Sequence, residues 1–136
     1  MKKILIPVLW GVFISACGEH DAVKNVATVF KKTDSLELIF YPDPHNQKHY
    51  QLRRSSDSSL ISLLLRDLEG DSISANTCLH YKKLYLFAGG DVYKTVYISD
   101  SCEYLAYSTN GTQQFRRLTN KTKNALGRIT PSEPVK

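Results

Sequence analysis

Two adjacent glycines near the middle of the chain limit most strongly what it can fold into. Gly89 and Gly90 separate two runs in which apolar and polar residues alternate, residues 79–87 and 92–98. This pattern is typical of a β-hairpin, because glycine adopts the positive φ angles that a tight hairpin turn requires. The sequence therefore predicts two antiparallel strands joined at these glycines.

Two cysteines lie at equal distances from this turn. Cys78 and Cys102 are each twelve residues from Gly90. A three-residue loop with a bulge pairs residue i with residue 180 − i, which sets the cysteines opposite each other and Phe87 opposite Tyr93. We therefore predict a Cys78–Cys102 disulfide; two reduced, buried thiols are the alternative.

One leucine-rich segment has the spacing of a helix. Its apolar residues recur three and four positions apart, and they are Leu60, Ile61, Leu63, Leu64, Leu65 and Leu68. Residues 55–58 supply side chains that cap a helix N-terminus, and Gly70 can end the helix. Thr119 can cap a shorter helix over residues 121–128.

The remaining strand-like runs complete the predicted fold. They lie at residues 36–41, 50–54, 102–107 and 113–118. With the hairpin and the helices they predict an α+β fold, an antiparallel sheet of about six strands with two or three helices packed on one face.

Two parts of the chain resemble each other at an offset of 63 residues. They are Gln51-Leu52-Arg53-Arg54 and Gln114-Phe115-Arg116-Arg117, and each precedes a predicted helix. A duplicated strand–strand–helix unit is one hypothesis, and chance similarity is the other. On neighbouring strands the arginine pairs would form a small basic patch; scattered, solvated arginines are the alternative.

The first sixteen residues have the pattern of an export signal. Lys2 and Lys3 precede thirteen uncharged, mostly apolar residues. A membrane-spanning helix needs about 20 apolar residues, so this stretch is too short to cross a bilayer but suits a signal-peptide core. Residues 1–16 are therefore predicted to be a signal peptide, and a buried strand or helix is the alternative.

The end of this stretch, Ile14-Ser15-Ala16-Cys17, resembles the lipobox of bacterial lipoprotein precursors. The resemblance implies cleavage before Cys17, a diacylglyceryl group on its thiol and acylation of its new amino group. Several acyl chains anchor a protein stably, whereas one binds only marginally. Gly18 follows in place of an aspartate, which in this family implies the outer membrane, facing the periplasm. An ordinary signal peptide with an unlipidated Cys17 is the alternative.

The rest of the chain is long enough for one domain. We expect a lipidated N-terminus and tether over residues 17–34, a small α+β domain over 35–130 and a flexible tail over 131–136. A short helix capped by Asp21, with Phe30 on its apolar side, is the alternative to a plain tether. Export also places the predicted disulfide where such bonds persist.

Eight tyrosines are the least ordinary feature of the composition. In the predicted hairpin, five aromatic residues share one side of the strands: Tyr81, Tyr85, Phe87, Tyr93 and Tyr97. Lys83 lies among them. Tyrosine offers large contact area at low entropic cost and is common at interfaces. These five residues are a candidate face for binding a protein or a glycan; a half-covered sheet surface without a ligand is the alternative.

Catalytic and metal-binding patterns are missing from the sequence. No P-loop, G-x-S-x-G, H-E-x-x-H or G-x-G-x-x-G motif is present. The histidines His20, His45, His49 and His80 have no cysteine or carboxylate cluster around them, and zinc needs about three or four ligands. We therefore expect no enzyme activity, no catalytic residue, no cofactor and no metal.

The charge and the export pattern limit the partners. The 18 Lys and Arg residues outnumber the 13 Asp and Glu residues by five, and loss of Lys2 and Lys3 reduces this excess to three. We therefore expect no nucleic-acid partner. The sequence predicts a lipid-anchored envelope lipoprotein whose domain binds a periplasmic protein, as an inhibitor or immunity protein would. The alternatives are a structural accessory of an envelope assembly or secretion complex and, more weakly, a small hydrolase.

Protein extracted from membranes should begin at Cys17 and carry acyl chains on that residue. Intact-mass spectrometry measures this directly, and an unmodified mature mass would contradict the lipobox interpretation. The Cys17→Ser variant is the control, because without the thiol the precursor should keep its signal peptide.

Overall fold

A computed structural model describes residues 29–43, 45–74 and 78–129 of the chain. The strands are β1 (Ser35–Phe40), β2 (Gln51–Ser55), β3 (Lys82–Ala88), β4 (Asp91–Ser99), β5 (Tyr104–Thr109) and β6 (Thr112–Arg117), and the helices are α1 (Ser58–Leu68) and α2 (Asn120–Gly127). All neighbouring strands are antiparallel, in the order β2-β1-β3-β4-β5-β6. The predicted α+β fold with a six-stranded antiparallel sheet is confirmed.

The central hairpin forms where the two glycines predict it. Gly89 and Gly90 both have positive φ angles, 62° and 89°, and they form a two-residue turn between β3 and β4. Away from the turn the strands keep the predicted pairing, so that Leu84 lies opposite Val96. Next to the turn the predicted pairing is wrong, because the loop has two residues instead of three and the bulge lies within β4, so that Phe87 lies opposite Val92 instead of Tyr93.

The leucine-rich helix begins and ends close to its predicted bounds. The Asp57 carboxylate accepts a hydrogen bond of 2.8 Å from the backbone N–H of Ser59, as expected of an N-cap. Leu64 and Leu68 are fully buried in the core between the helices and the sheet. Burial of a leucine side chain contributes roughly 1.5–3 kcal/mol, so this helix stabilises the covered side of the sheet.

Asp67, near the end of α1, joins the two helices. Its buried carboxylate accepts hydrogen bonds from the backbone N–H of Thr119 at 2.8 Å and from the Thr119 hydroxyl at 3.0 Å. Thr119 is the N-cap of α2, so the carboxylate also lies at the positive end of that helix dipole. One helix therefore holds the start of the other against the same face of the sheet.

The packed part of the chain also includes residues upstream of β1. The sequence predicted a domain that begins at residue 35, whereas Phe30, which is helical and 1% exposed, belongs to the core. The predicted signal peptide, Cys17, most of the tether and the tail 131–136 lie outside the described residues. Within the described ranges, neither α1 nor α2 is long and apolar enough to cross a bilayer.

The Asp67→Asn variant should lower the free energy of unfolding by about 1–3 kcal/mol, because it removes the charge from a buried, hydrogen-bonded contact. Chemical denaturation measures this change. Glu69→Gln is the matched control, since Glu69 is exposed at the end of the same helix and should change stability by less than about 0.5 kcal/mol. Equal effects of the two variants would show that the contact with Thr119 contributes little.

Candidate binding face on the open side of the sheet

The side of the sheet opposite α1 and α2 is not covered by any described helix, and we call it the open face. Its centre is a column of alternate side chains from β3 and the residue before it, Tyr81, Lys83, Tyr85 and Phe87. Alternate residues share one side of a strand because of its two-residue period. Both neighbours of β3 pair with it over its length, so the column lies on a rigid surface.

Strands β1 and β4 extend the open face on either side of this column. In the sheet register, Lys83 lies between Ile39 and Tyr97, while Phe87 lies next to Val92. Val92 is 49% exposed and Tyr81 is 36% exposed, whereas Lys83, Tyr85, Phe87 and Tyr97 are partly exposed. The structure therefore brings four of the five predicted aromatic residues together on one accessible surface.

Tyr93, the fifth predicted residue, lies on the opposite side of the sheet. The bulge near the turn gives β4 one extra residue, so Val92 faces the open side and Tyr93 packs against the core under the helices. The Tyr93 hydroxyl is hydrogen-bonded to Thr33 and also contacts the carbonyl of Phe30 at 3.4 Å. Burial raises the pKa of Tyr93. Its role in the structure is to hold the N-terminal segment to the sheet.

A paired charge borders the column near the hairpin turn. The Arg54 guanidinium donates hydrogen bonds of 2.6 and 3.1 Å to Glu37, and it lies 5.4 Å from the centre of the Phe87 ring. The Glu37 side chain is 11% exposed and that of Arg54 is 63% exposed. The carboxylate is therefore satisfied within the sheet, while much of the guanidinium remains accessible.

The disulfide covers one corner of the open face. The predicted Cys78–Cys102 bond is confirmed, with the two Cα atoms 6.3 Å apart. The fully buried Tyr104 donates a hydrogen bond of 3.0 Å from its hydroxyl to the carbonyl of Cys78. The bond therefore holds the segment before β3 against the sheet.

His80 packs at the same corner of the open face. Its ring lies 5.5 Å from that of Tyr97 and 5.4 Å from that of Tyr104. Burial lowers the pKa of His80, and its buried Nδ1 has no hydrogen-bond partner among the described residues. Within the same ranges no three histidine, cysteine or carboxylate side chains form a group able to hold a metal ion. His20 lies outside the described residues.

The two arginine pairs do not form a common patch. Arg53 and Arg54 lie on β2, and Arg116 and Arg117 lie on β6, at opposite edges of the sheet. The hypothesis of a basic patch is therefore wrong, because the central hairpin separates the strands that carry the two arginine pairs.

No protein-family model matches the chain, and neither the curated proteins nor the solved structures contain a significant match.

The free energy of unfolding should fall as the pH drops below about 6.5, the ordinary pKa of histidine. Because burial lowers the pKa of folded His80, the unfolded chain binds more protons in this range and acid favours unfolding. Denaturation between about pH 8 and about pH 5 measures the slope. His80→Phe should reduce this slope, whereas His45→Gln, at an exposed turn residue, should not. If the His80→Phe variant shows the same pH dependence of unfolding, a residue other than His80 causes the acid sensitivity.

Proposed function

We propose that this chain is a lipid-anchored, non-catalytic envelope lipoprotein whose open face binds a protein in the periplasm. One observation carries the proposal: Tyr81, Tyr85, Phe87 and Tyr97 are grouped on a sheet surface that no described helix covers. An inhibitor or an immunity protein acts in this way, by occupying a partner stoichiometrically.

The composition of the open face suits a protein partner. Tyrosine, phenylalanine and arginine are enriched at the centres of protein interfaces, and Arg54 borders the aromatic column. Because paired strands hold these side chains, little backbone freedom would be lost on binding. A mixture of aromatic rings and accessible cations also favours a surface with matching apolar and acidic groups.

The proposed lipid anchor is based on the resemblance of Ile14-Ser15-Ala16-Cys17 to a lipobox. Acylated Cys17 would hold the domain at the periplasmic side of the outer membrane. Gly18 in place of an aspartate supports this location within the same resemblance. A tethered domain meets its partner at the membrane surface.

We also infer that the two edges of the sheet derive from one duplicated strand–strand–helix unit. The matching segments occupy the two edge strands, and each is followed by a helix on the covered side. Equivalent residues also behave alike: Arg53 and Arg116 both have a buried Nε without a hydrogen-bond partner among the described residues. The two units would then support the central hairpin from both sides.

The double variant Tyr85→Ala with Tyr97→Ala should weaken capture of the partner by about tenfold or more, because truncation of a central aromatic residue costs about 2 kcal/mol or more. The measurement is quantitative pull-down of envelope proteins with the mature domain as bait. Val29→Ala is the control, since Val29 is 41% exposed and precedes Phe30 of the helix-side core. Thermal unfolding should show that both variants remain folded.

The pattern of capture separates the alternatives. Stoichiometric recovery of one soluble protein, lost in the double variant, would support the proposal. Recovery of a multi-subunit membrane complex would instead support a structural accessory role. Equal recovery by wild type and double variant would remove the open face as the binding surface.

A further inference from the structure

Lys83 lies at the centre of the open face and forms no salt bridge with any described carboxylate. Its ammonium nitrogen lies 5.4 Å from the ring centre of Tyr41 and 5.9 Å from that of Tyr97. The two salt bridges in the described part of the chain are Arg54–Glu37 and Lys82–Asp100. Neither provides a carboxylate for Lys83, so solvent and the tyrosine rings stabilise its charge.

The charges around Lys83 leave the open face positive. Glu37 is already bound by Arg54. At the far edge Arg117 is exposed, and it shares the open face with Phe115, whose ring lies 5.5 Å from that of Tyr104. Among the described residues, an approaching surface therefore meets two cations without a salt-bridge partner, Lys83 and Arg117, and the Arg54–Glu37 ion pair.

A partner that covers the open face must remove water from Lys83. An ammonium group transferred out of water without a counter-charge costs several kcal/mol, because it has three donors and no internal partner. The rings of Tyr41 and Tyr97 compensate only part of this cost, since a cation–π contact stabilises an ammonium group less than its lost hydration did. The rest has to come from an acceptor on the partner.

We propose that the protein bound by the open face places an aspartate or glutamate carboxylate on Lys83. This inference depends on the proposed function and specifies the chemistry of the partner, an acidic segment flanked by apolar side chains that contact Tyr85 and Phe87. The carboxylate would form an ion pair enclosed by aromatic rings, and charge pairs of this kind strengthen binding and accelerate association.

The experiment first identifies the contacting segment and then measures its charge dependence. Phe87 is replaced by a photo-cross-linking phenylalanine analogue in the full chain, and mass spectrometry identifies the cross-linked peptide in envelope preparations. A synthetic peptide of that segment is the probe. Its twin carries asparagine and glutamine in place of aspartate and glutamate.

We expect the acidic probe to bind wild type about tenfold or more tightly than its amide twin, because coupling energies of close charge pairs are about 1.5 kcal/mol or more. Lys83→Met, which keeps the aliphatic stem, should lose the same factor and no longer distinguish the two probes. Lys83→Arg should keep most of the discrimination. Lys121→Met, at an exposed residue of α2, should bind both probes as wild type does.

The results separate this inference from the proposed function. A cross-linked segment without acidic residues would overturn the inference. So would a Lys83→Met variant that binds the acidic probe like wild type while Tyr85→Ala with Tyr97→Ala loses binding, and the proposed function would then stand. Absence of a cross-linked protein, or equal binding by all variants, would overturn both.

Discussion

The hydrogen bonds between Asp67 and Thr119 hold the start of α2 at the end of α1, on the side of the sheet where both helices contribute to one apolar core. Two short helices bury one face of this antiparallel sheet, and the other face can then stay in contact with solvent. The accessibility of the aromatic surface is a consequence of this asymmetry.

The open face carries polar groups beside its aromatic rings, so it can be exposed to water in the folded protein. Tyr85 and Tyr97 combine apolar rings with hydroxyl groups. Lys83 is partly exposed and lies over the ring of Tyr97. The disulfide and His80 pack over one corner of the open face, and the Arg54–Glu37 ion pair borders another. What remains accessible is a central strip of rings around Lys83, which has no described salt-bridge partner, and the proposed binding function depends on this arrangement.

Local patterns predicted much of this fold because they depend on contacts between residues close in sequence. The leucine spacing predicted α1, the glycine pair predicted the hairpin, and the symmetric cysteines predicted the disulfide. The position of the bulge was not predictable in the same way. A single extra residue in β4 reverses the sides of Val92 and Tyr93, and alternation in a sequence does not reveal where such a residue is inserted.

The sequence by itself determined the elements, their antiparallel class, the cysteine pair and four of the aromatic residues that share a surface, because turn chemistry and side-chain periodicity are local properties. Only the tertiary structure decided which strands are neighbours and which face stays uncovered. The arginine pairs of β2 and β6 lie at opposite edges because the hairpin formed by β3 and β4 lies between β1 and β5. The pairing of Glu37 with Arg54, and the lack of a described carboxylate beside Lys83, depend on that order of strands, since contacts between distant residues form only when the sheet assembles.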